Sequence, residues 1–366
     1  MASFAEAVVL EILERRPDLV RLRASVDDEE IEAAAFPNML GPLETGDRVV
    51  LNTTGITLGL GTGGTAFVLW NLDRPHEADA GAGHIVKLRY TPWQTNVMAA
   101  EAPESPHHEL LVDAESIDGV PVVACGLHSQ IAAVTAGIKQ QAPGANVGYL
   151  MTDGAALPLR WSRLVTQLED ARLVDATASA GHAFGGDLEA VNVFSGLVAL
   201  HHAGRCDALV VAMGPGVVGT GTTLGHTALE QGQILDAVTA LGGRAIACLR
   251  VSFADSRERQ RGISHHTLTS LRVAARERCT VVLPDLDEDL DLLRRQLRET
   301  DLDQKHEIVV RDGRGGVAFM TERGIRPTSM GREVAETPEL FLAAAAAGRL
   351  AGEHVASATQ KGPAHS

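Results

Sequence analysis

The chain has 366 residues, 45% hydrophobic and 22% charged, the make-up of a folded protein of about two domains. A formal net charge of -15, from 32 basic and 47 acidic residues, repels a phosphate backbone, and no Lys/Arg stripe with interleaved aromatics offsets it, so no nucleic-acid partner is expected. No run approaches the roughly 20 apolar residues of a membrane span, and MASFAEAVVLEILERR carries neither a basic leader nor a small-residue cleavage site, so a cytoplasmic protein without membrane contact is expected.

Residues 1–100 read as a β-rich domain. Short apolar stretches recur between turn signals at 8–12, 19–23, 48–51, 66–70 and 85–89. In the last of these Val86, Leu88 and Tyr90 alternate with Lys87 and Arg89, the period of a half-wet strand. Gly41-Pro42 and Gly46-Asp47 mark turns, and LGLGTGG (58–64) reads as a flexible hairpin loop. Short strands at this spacing predict a small barrel or sandwich. A polar stretch follows, and its part at 101–119, with Pro103, Pro106 and His107-His108, reads as a linker. The histidine pair has no third ligand nearby to make a metal site.

From residue 120 the rhythm changes. Apolar β-type runs at 121–125, 147–151, 172–177, 208–213, 245–253 and 280–284 alternate with helical patterns near 129–141, 159–170, 187–203, 228–241, 265–278 and 287–299. Continuous apolar strands separated by helices predict a mostly parallel sheet covered on both faces, a three-layer α/β domain over 120–335. Residues 307–310 add an edge strand. Residues 336–366 read as a helix at 340–351 followed by a disordered tail from 357. Cys125, Cys206, Cys248 and Cys279 lie in or beside apolar runs without CxxC or zinc spacing and read as buried thiols. Cys125, ending a strand before a polar turn, is the one position suited to a reactive thiol.

Ligands of open α/β sheets bind at the carboxyl ends of the strands, and here five strand ends carry polar or glycine-rich segments. They are Gly126-Leu127-His128-Ser129-Gln130, Thr152-Asp153-Gly154, ASAGHAFGGD with His182 and Asp187, MGPGVVGTGTTLGHT (213–227), and ADSRERQRGISHHT with Asp255, Arg257, Arg259, Arg261 and His265-His266. Each has a plainer reading. Ser129, Asp187 and Ser264 could be helix N-caps, Asp153-Gly154 a turn, His226 a packing residue, and His201-His202 a pair on a helix without a role. The glycine loop fits GxGxxG without a helix opening at once or an acidic residue at the dinucleotide spacing, and it imitates a P-loop with threonine in place of the lysine. What remains is a nest: glycines let backbone N–H groups crowd toward an anion, and Thr220 and Thr222 add hydroxyl donors. The arginines supply positive charge, and of His265 and His266 one is expected to face the cleft.

The strings GHIVKLRYTP, GLHSQ, MTDGAALP, GHAFGGDLEAVN, GPGVVGTGTTLG and RVSFADSRERQRGISHHT together resemble a bacterial family described only as domain of unknown function 3866. The resemblance implies no activity, so the site is read from the residues alone. An enzyme, hydrolase or transferase, would act on a small anionic metabolite that is phosphorylated, nucleotide-like or a carboxylate. His128, Asp153, His182 and Asp187 would supply acid–base groups. Ser129, Gly214, Gly216, Gly219, Thr220, Gly221, Thr222, Asp255, Arg257, Arg261 and His265 would hold the ligand. Asp153, His182, Asp187 and Asp255 could bind a divalent metal, but no compact ligand motif supports one. A Ser129–His182–Asp153 triad lacks a GxSxG elbow. No cofactor is assigned. The alternatives are a non-catalytic sensor of the same anion and a structural homodimer with the glycine loop at its interface.

Overall fold

Small and branched residues that alternate with charged ones drive the first hundred residues into strands. In the computed structural model, which describes residues 2–59, 64–74 and 83–361, these are β1 (Phe4–Arg16), β2 (Leu19–Val26), β3 (Glu29–Ala35), β4 (Arg48–Asn52) and β5 (Ala66–Asn71). They close into a barrel in the order β1-β2-β3-β5-β4. Ala7, Val9, Leu22, Ala24, Ala33, Ala35, Val49, Leu51 and Val68 point inward, every second residue of each strand, as the pleat requires. Two helical turns, α1 (Pro37–Leu40) and α2 (Thr54–Thr57), lie between strands. Sequence periodicity overlooks β3 because EEIEAAA has a helix-forming composition. The barrel overrides it: Asp27 and Asp28 both take positive φ (48° and 68°), the left-handed pair of a tight hairpin, and register Val26 against Glu29. The strand expected at 85–89 is shorter. β6 (Ile85–Lys87) pairs with β7 (Thr95–Val97), Lys87 is buried rather than wet, and Leu88 and Tyr90 leave strand geometry at positive φ. Residues 60–63 of the expected hairpin loop lie outside the described residues.

The chain divides into two units, Met1–Val97 and Met98–Ser366. The second begins with α3 (His108–Leu111) and β8 (Pro121–Ala124), then α4 (Ile131–Gln141), β9 (Val147–Thr152), α5 (Arg163–Asp170), β10 (Ala176–Ala180), β11 (Leu188–Ala190), α6 (Val193–His202) and β12 (Ala208–Met213). It continues through α7 (Glu230–Ala240), β13 (Arg244–Cys248), β14 (Val251–Ser252), β15 (Gly262–Ile263), α8 (His265–Thr269), β16 (Thr280–Pro284), α9 (Leu290–Glu299), α10 (Leu302–Lys305), β17 (Glu307–Arg311), α11 (Arg314–Glu322) and α12 (Pro338–Lys361). Eight strands form one all-parallel sheet, β11-β10-β9-β12-β8-β13-β16-β17, with residues 307–311 at its edge. Val123, Tyr149, Val210 and Val282 pack on one face with α4, α5, α11 and α12. Val122, Leu150, Leu209 and Val281 pack on the other with α6, α7 and α9. Burial on both faces is why these strands are apolar throughout.

Four expectations shift. Residues 101–119 pack into this unit: Ala102, Leu111 and Ile117 are buried, and the Ile117 N–H donates to Leu241 O. The strand expected at 172–177 begins at Ala176, because Arg172 turns the chain at φ 54°. The run at 245–253 splits: after Cys248 the chain leaves the sheet, and β14 pairs antiparallel with β15 in a small ribbon. The tail expected to be disordered is helical to Lys361, and residues 362–366 lie outside the described residues. α12 crosses α4 so closely that a Cβ at Gly137 would overlap Ala345 O and one at Gly348 would overlap Val134 O, which seats Ala344 to Ala347 in the core.

Candidate functional site

β12 lies in the middle of the sheet between β9 and β8. β8 and β9 lead into α4 and α5 on one face, while β12 leads into α7 on the other. Connections that part to opposite faces open a crevice at the carboxyl ends, and the glycine loop rises there. Two buried glutamines tie the strand ends below it. Gln231 Nε2 donates to Ala124 O (2.8 Å) and Cys248 O (2.7 Å). Gln130 Oε1 accepts from the Gly126 and Leu127 N–H groups, and its Nε2 donates to Leu249 O (2.9 Å).

The loop is an exposed hairpin rather than a slack coil. Thr220 N donates to Gly225 O and Thr227 N to Val218 O (2.8 and 3.0 Å). Thr222 Oγ1 accepts from Gly225 N (3.0 Å), and Thr220 Oγ1 donates to Gly225 O (3.1 Å). The threonine hydroxyls expected to face a ligand are therefore engaged in the loop's own turn. Gly214 has Ala156 O where a Cβ would stand, so the loop's root can pass the β9 segment only as glycine. Gly216 and Gly221 take positive φ, 115° and 83°.

One flank of the root comes from β9, β10 and α7. Asp153, exposed, accepts the His182 N–H at 2.9 Å. Glu230, at the start of α7, lies over Gly154, with its Oε2 buried beside the Thr152 hydroxyl. Burial pushes the Glu230 carboxyl above the ordinary carboxylate range, and the Asp153 charge adds to this. Beneath, His128 is fully engaged: Nδ1 lies 3.2 Å from both Met213 O and Tyr149 OH, and Nε2 lies 2.6 Å from Ser162 Oγ. Burial pushes His128 down to about 4, so it is a neutral hub under the loop.

The other flank comes from the β14–β15 ribbon and α8. Arg259 Nη1 donates to Gly221 O at 2.7 Å, latching the loop's tip. Ser264 caps α8 by accepting the His266 N–H (3.2 Å). The His226 ring stacks on His266 (centroids 4.1 Å, planes 19°), and His265 lies 4.2 Å from His266 and 5.9 Å from His226. Both adjacent histidines thus reach the cluster, where one was expected. Nδ1 of His266 is buried without a hydrogen-bond partner, and the buried ring nitrogens of His226 and His265 lie near the backbone of Thr223 and of Arg259 without a well-formed hydrogen bond. A Cβ at Gly219 would stand 3.3 Å from the His266 ring, so the loop lies directly on this cluster. Burial pushes His266 down to about 3, helped by His226, His265, Arg250 and Arg259; burial also lowers His226 and His265.

The other sequence-expected residues lie elsewhere or are spoken for. Asp255 is clasped by Arg257 (Nε–Oδ1 2.9 Å, Nη2–Oδ2 2.8 Å) and Arg250 (3.2 Å), and Arg257 foremost holds its carboxyl far below the usual range. Arg261 lies 6.0 Å over the Phe253 ring. Asp187 accepts the Thr177 N–H and hydroxyl at the β10–β11 edge. Ser129 Oγ donates to Ser329 Oγ rather than capping a helix (3.0 Å). Arg250, His266 and Glu230 are additions the sequence list lacks. His226, set aside there as a packing residue, is at the cluster's centre, and only the loop's return on itself, which no local pattern encodes, puts it there.

Three neutral imidazoles each carry one N–H that could be donated to an oxyanion, and a guanidinium beside them supplies the counter-charge. As a metal site the cluster is poor, because nearly parallel stacked rings aim their lone pairs side by side rather than at one point. Residues 32–348 match the model of a family described as a protein of unknown function (DUF3866). No curated protein matches the chain.

Proposed function

The chain belongs to the DUF3866 family, whose description assigns no reaction, and on that premise we propose a function from the site alone: an enzyme, hydrolase or transferase, acting on a small anionic metabolite at the carboxyl ends of the second unit's sheet. The observation that carries the reading is the stack of the His226, His265 and His266 rings, their buried nitrogens lacking well-formed hydrogen bonds, under a loop latched by Arg259. Buried polar groups are seldom left poorly paired, and the one N–H that each neutral imidazole carries suits a ligand that brings acceptors. The anion's oxygens would take imidazole and guanidinium N–H donors. Glu230, with a raised pKa, and Asp153 would handle protons on the opposite flank of the loop. The phosphorylated form of the ligand fits this donor set best, since a phosphoryl group offers three acceptor oxygens.

The deciding experiment is calorimetric titration with inorganic phosphate, followed by a screen of phosphate monoesters for released phosphate. Binding weakened at least ten-fold in Arg259→Met supports the site; no binding in the unmodified protein refutes it. Binding without turnover across the screen would make the protein a sensor. A second reading has its own observation: Val218 and Leu224 at the loop tip are 63% and 58% exposed, as a homodimer contact would leave them in a single chain. Light scattering on Val218→Ser/Leu224→Ser tests it, a dimer turning monomeric being the supporting result. The reading places the protein in the cytoplasm; no helix among the described residues is long and apolar enough to cross a membrane.

A further inference from the structure

At the opposite end of the sheet, where β8 and β12 begin, lies a second histidine cluster of different chemistry. His201 and His202 end α6, and Asp118 occupies the turn before β8 at φ 50°. One ring nitrogen of each histidine and a carboxylate oxygen of Asp118 lie within 4.8 Å of one another.

The hydrogen bonds fix which nitrogens carry protons. His201 Nδ1 faces Cys206 O at 3.2 Å and His202 Nε2 faces Ser116 O at 2.9 Å. A carbonyl only accepts, so each of these nitrogens is an N–H donor. In a neutral imidazole the other nitrogen then carries the lone pair. That is the arrangement of metal-ligating histidines, whose non-ligating N–H is held by a carbonyl or carboxylate behind them. His201 Nε2 lies 3.4 Å from Asp118 Oδ2, the two forming an ion pair when the imidazole is protonated. At that length the pair is looser than a charge-assisted N–H···O bond of about 2.7–2.9 Å, and a metal ion would take the place of the shared proton. Two ligands at ~2.0–2.2 Å from a tetrahedral ion stand about 3.3–3.5 Å apart, which is the separation of the His201–Asp118 pair, and the His202 ligand atom lies within 4.8 Å of both. Two further features favour a cation: the carboxyl end of a helix carries partial negative charge, and Ser116 Oγ donates to Asp118 Oδ1 (3.1 Å), orienting the carboxylate.

We propose that Asp118, His201 and His202 form a binding site for a divalent first-row transition ion, zinc in the first instance, with solvent as the fourth ligand, tying the end of α6 to the turn before β8. Nitrogen and carboxylate ligands in this number suit zinc, cobalt, nickel and copper rather than magnesium or calcium. The site does not depend on the proposed anion chemistry, since its residues take no part in it.

The test is titration of tag-free, chelator-treated protein with Co2+, followed by visible absorption and by competition with Zn2+. One Co2+ per chain is expected, with the strong absorption of a low-coordinate site, displaced by Zn2+. Asp118→Asn and His201→Gln should each weaken uptake at least ten-fold, whereas His226→Gln leaves it unchanged. Absence of saturable uptake, or uptake indifferent to Asp118→Asn and His201→Gln, overturns the proposal. Should His201→Gln fail to fold, Asp118→Asn decides alone, because that side chain is 65% exposed and its removal spares the core.

Discussion

The two histidine clusters of the α/β unit share a residue type and little else. At the strand origins each imidazole is backed by a carbonyl and faces a carboxylate. At the strand ends the imidazoles stack on one another, have only loose backbone contacts behind them, and feel the guanidinium charges of Arg250 and Arg259. What a histidine can bind is thus set by its neighbours: carbonyls and carboxylates prepare it for a cation, arginines and loosely held N–H groups for an anion.

Substitutions at the strand ends should break this contrast in graded steps. Glu230→Gln should lower turnover of a phosphate-ester substrate about 10²–10⁴-fold while phosphate affinity, read by calorimetry, stays level. Turnover unaffected would remove Glu230 from the proton chemistry. Arg259→Met removes one charge-assisted donor worth about 1.5–3 kcal/mol, so phosphate should bind roughly 10–100-fold more weakly while Co2+ uptake at Asp118 is unaltered. Equal loss at both ends would mean general unfolding. Gly221→Ala places a side chain at φ 83°; with a left-handed penalty of about 1 kcal/mol, the affinity should fall about five-fold.

The pH dependence sharpens the contrast most gently. His266 titrates near 3 in the fold against an ordinary 6.5. Between those values the unfolded chain binds the proton and the folded chain does not, so stability is complete above about 6.5 and declines as pH falls toward 3. Melting temperature recorded by calorimetry from pH 7 to 4 should drop more steeply for the native protein than for His266→Phe. Saturating phosphate should flatten the drop, because an anion beside the rings restores their protonated form. A slope unchanged by both would detach the cluster from the titration.

The sheet was legible because strands buried on both faces must be apolar throughout, and runs such as ALVVAM admit few other readings. The barrel was legible except at β3, where glutamates and alanines spell helix and only the Asp27-Asp28 hairpin enforces a strand. The strand-end rule pointed to the loops that carry the proposed site, where Gly219, Gly221 and His265 come together. The assignment of residues within it was less legible, since partnership is decided in space. Asp255, charged and near a strand end, is consumed by two arginines, whereas His226, a lone histidine after glycine, is carried by the loop's return onto His266.

The close crossing of α12 over α4 bears on how the molecule is made. The alanines at 344–347 complete one face of a sheet whose first strand is laid down more than two hundred residues earlier. A ribosome therefore releases most of the α/β unit with that face covered by α4, α5 and α11 alone, and Val123, Ile246 and Val282 on β8, β13 and β16 wait for α12 to dock. During synthesis this is the surface a chaperone would find, and nascent chains arrested before residue 338 should be captured more readily than those that have cleared the exit.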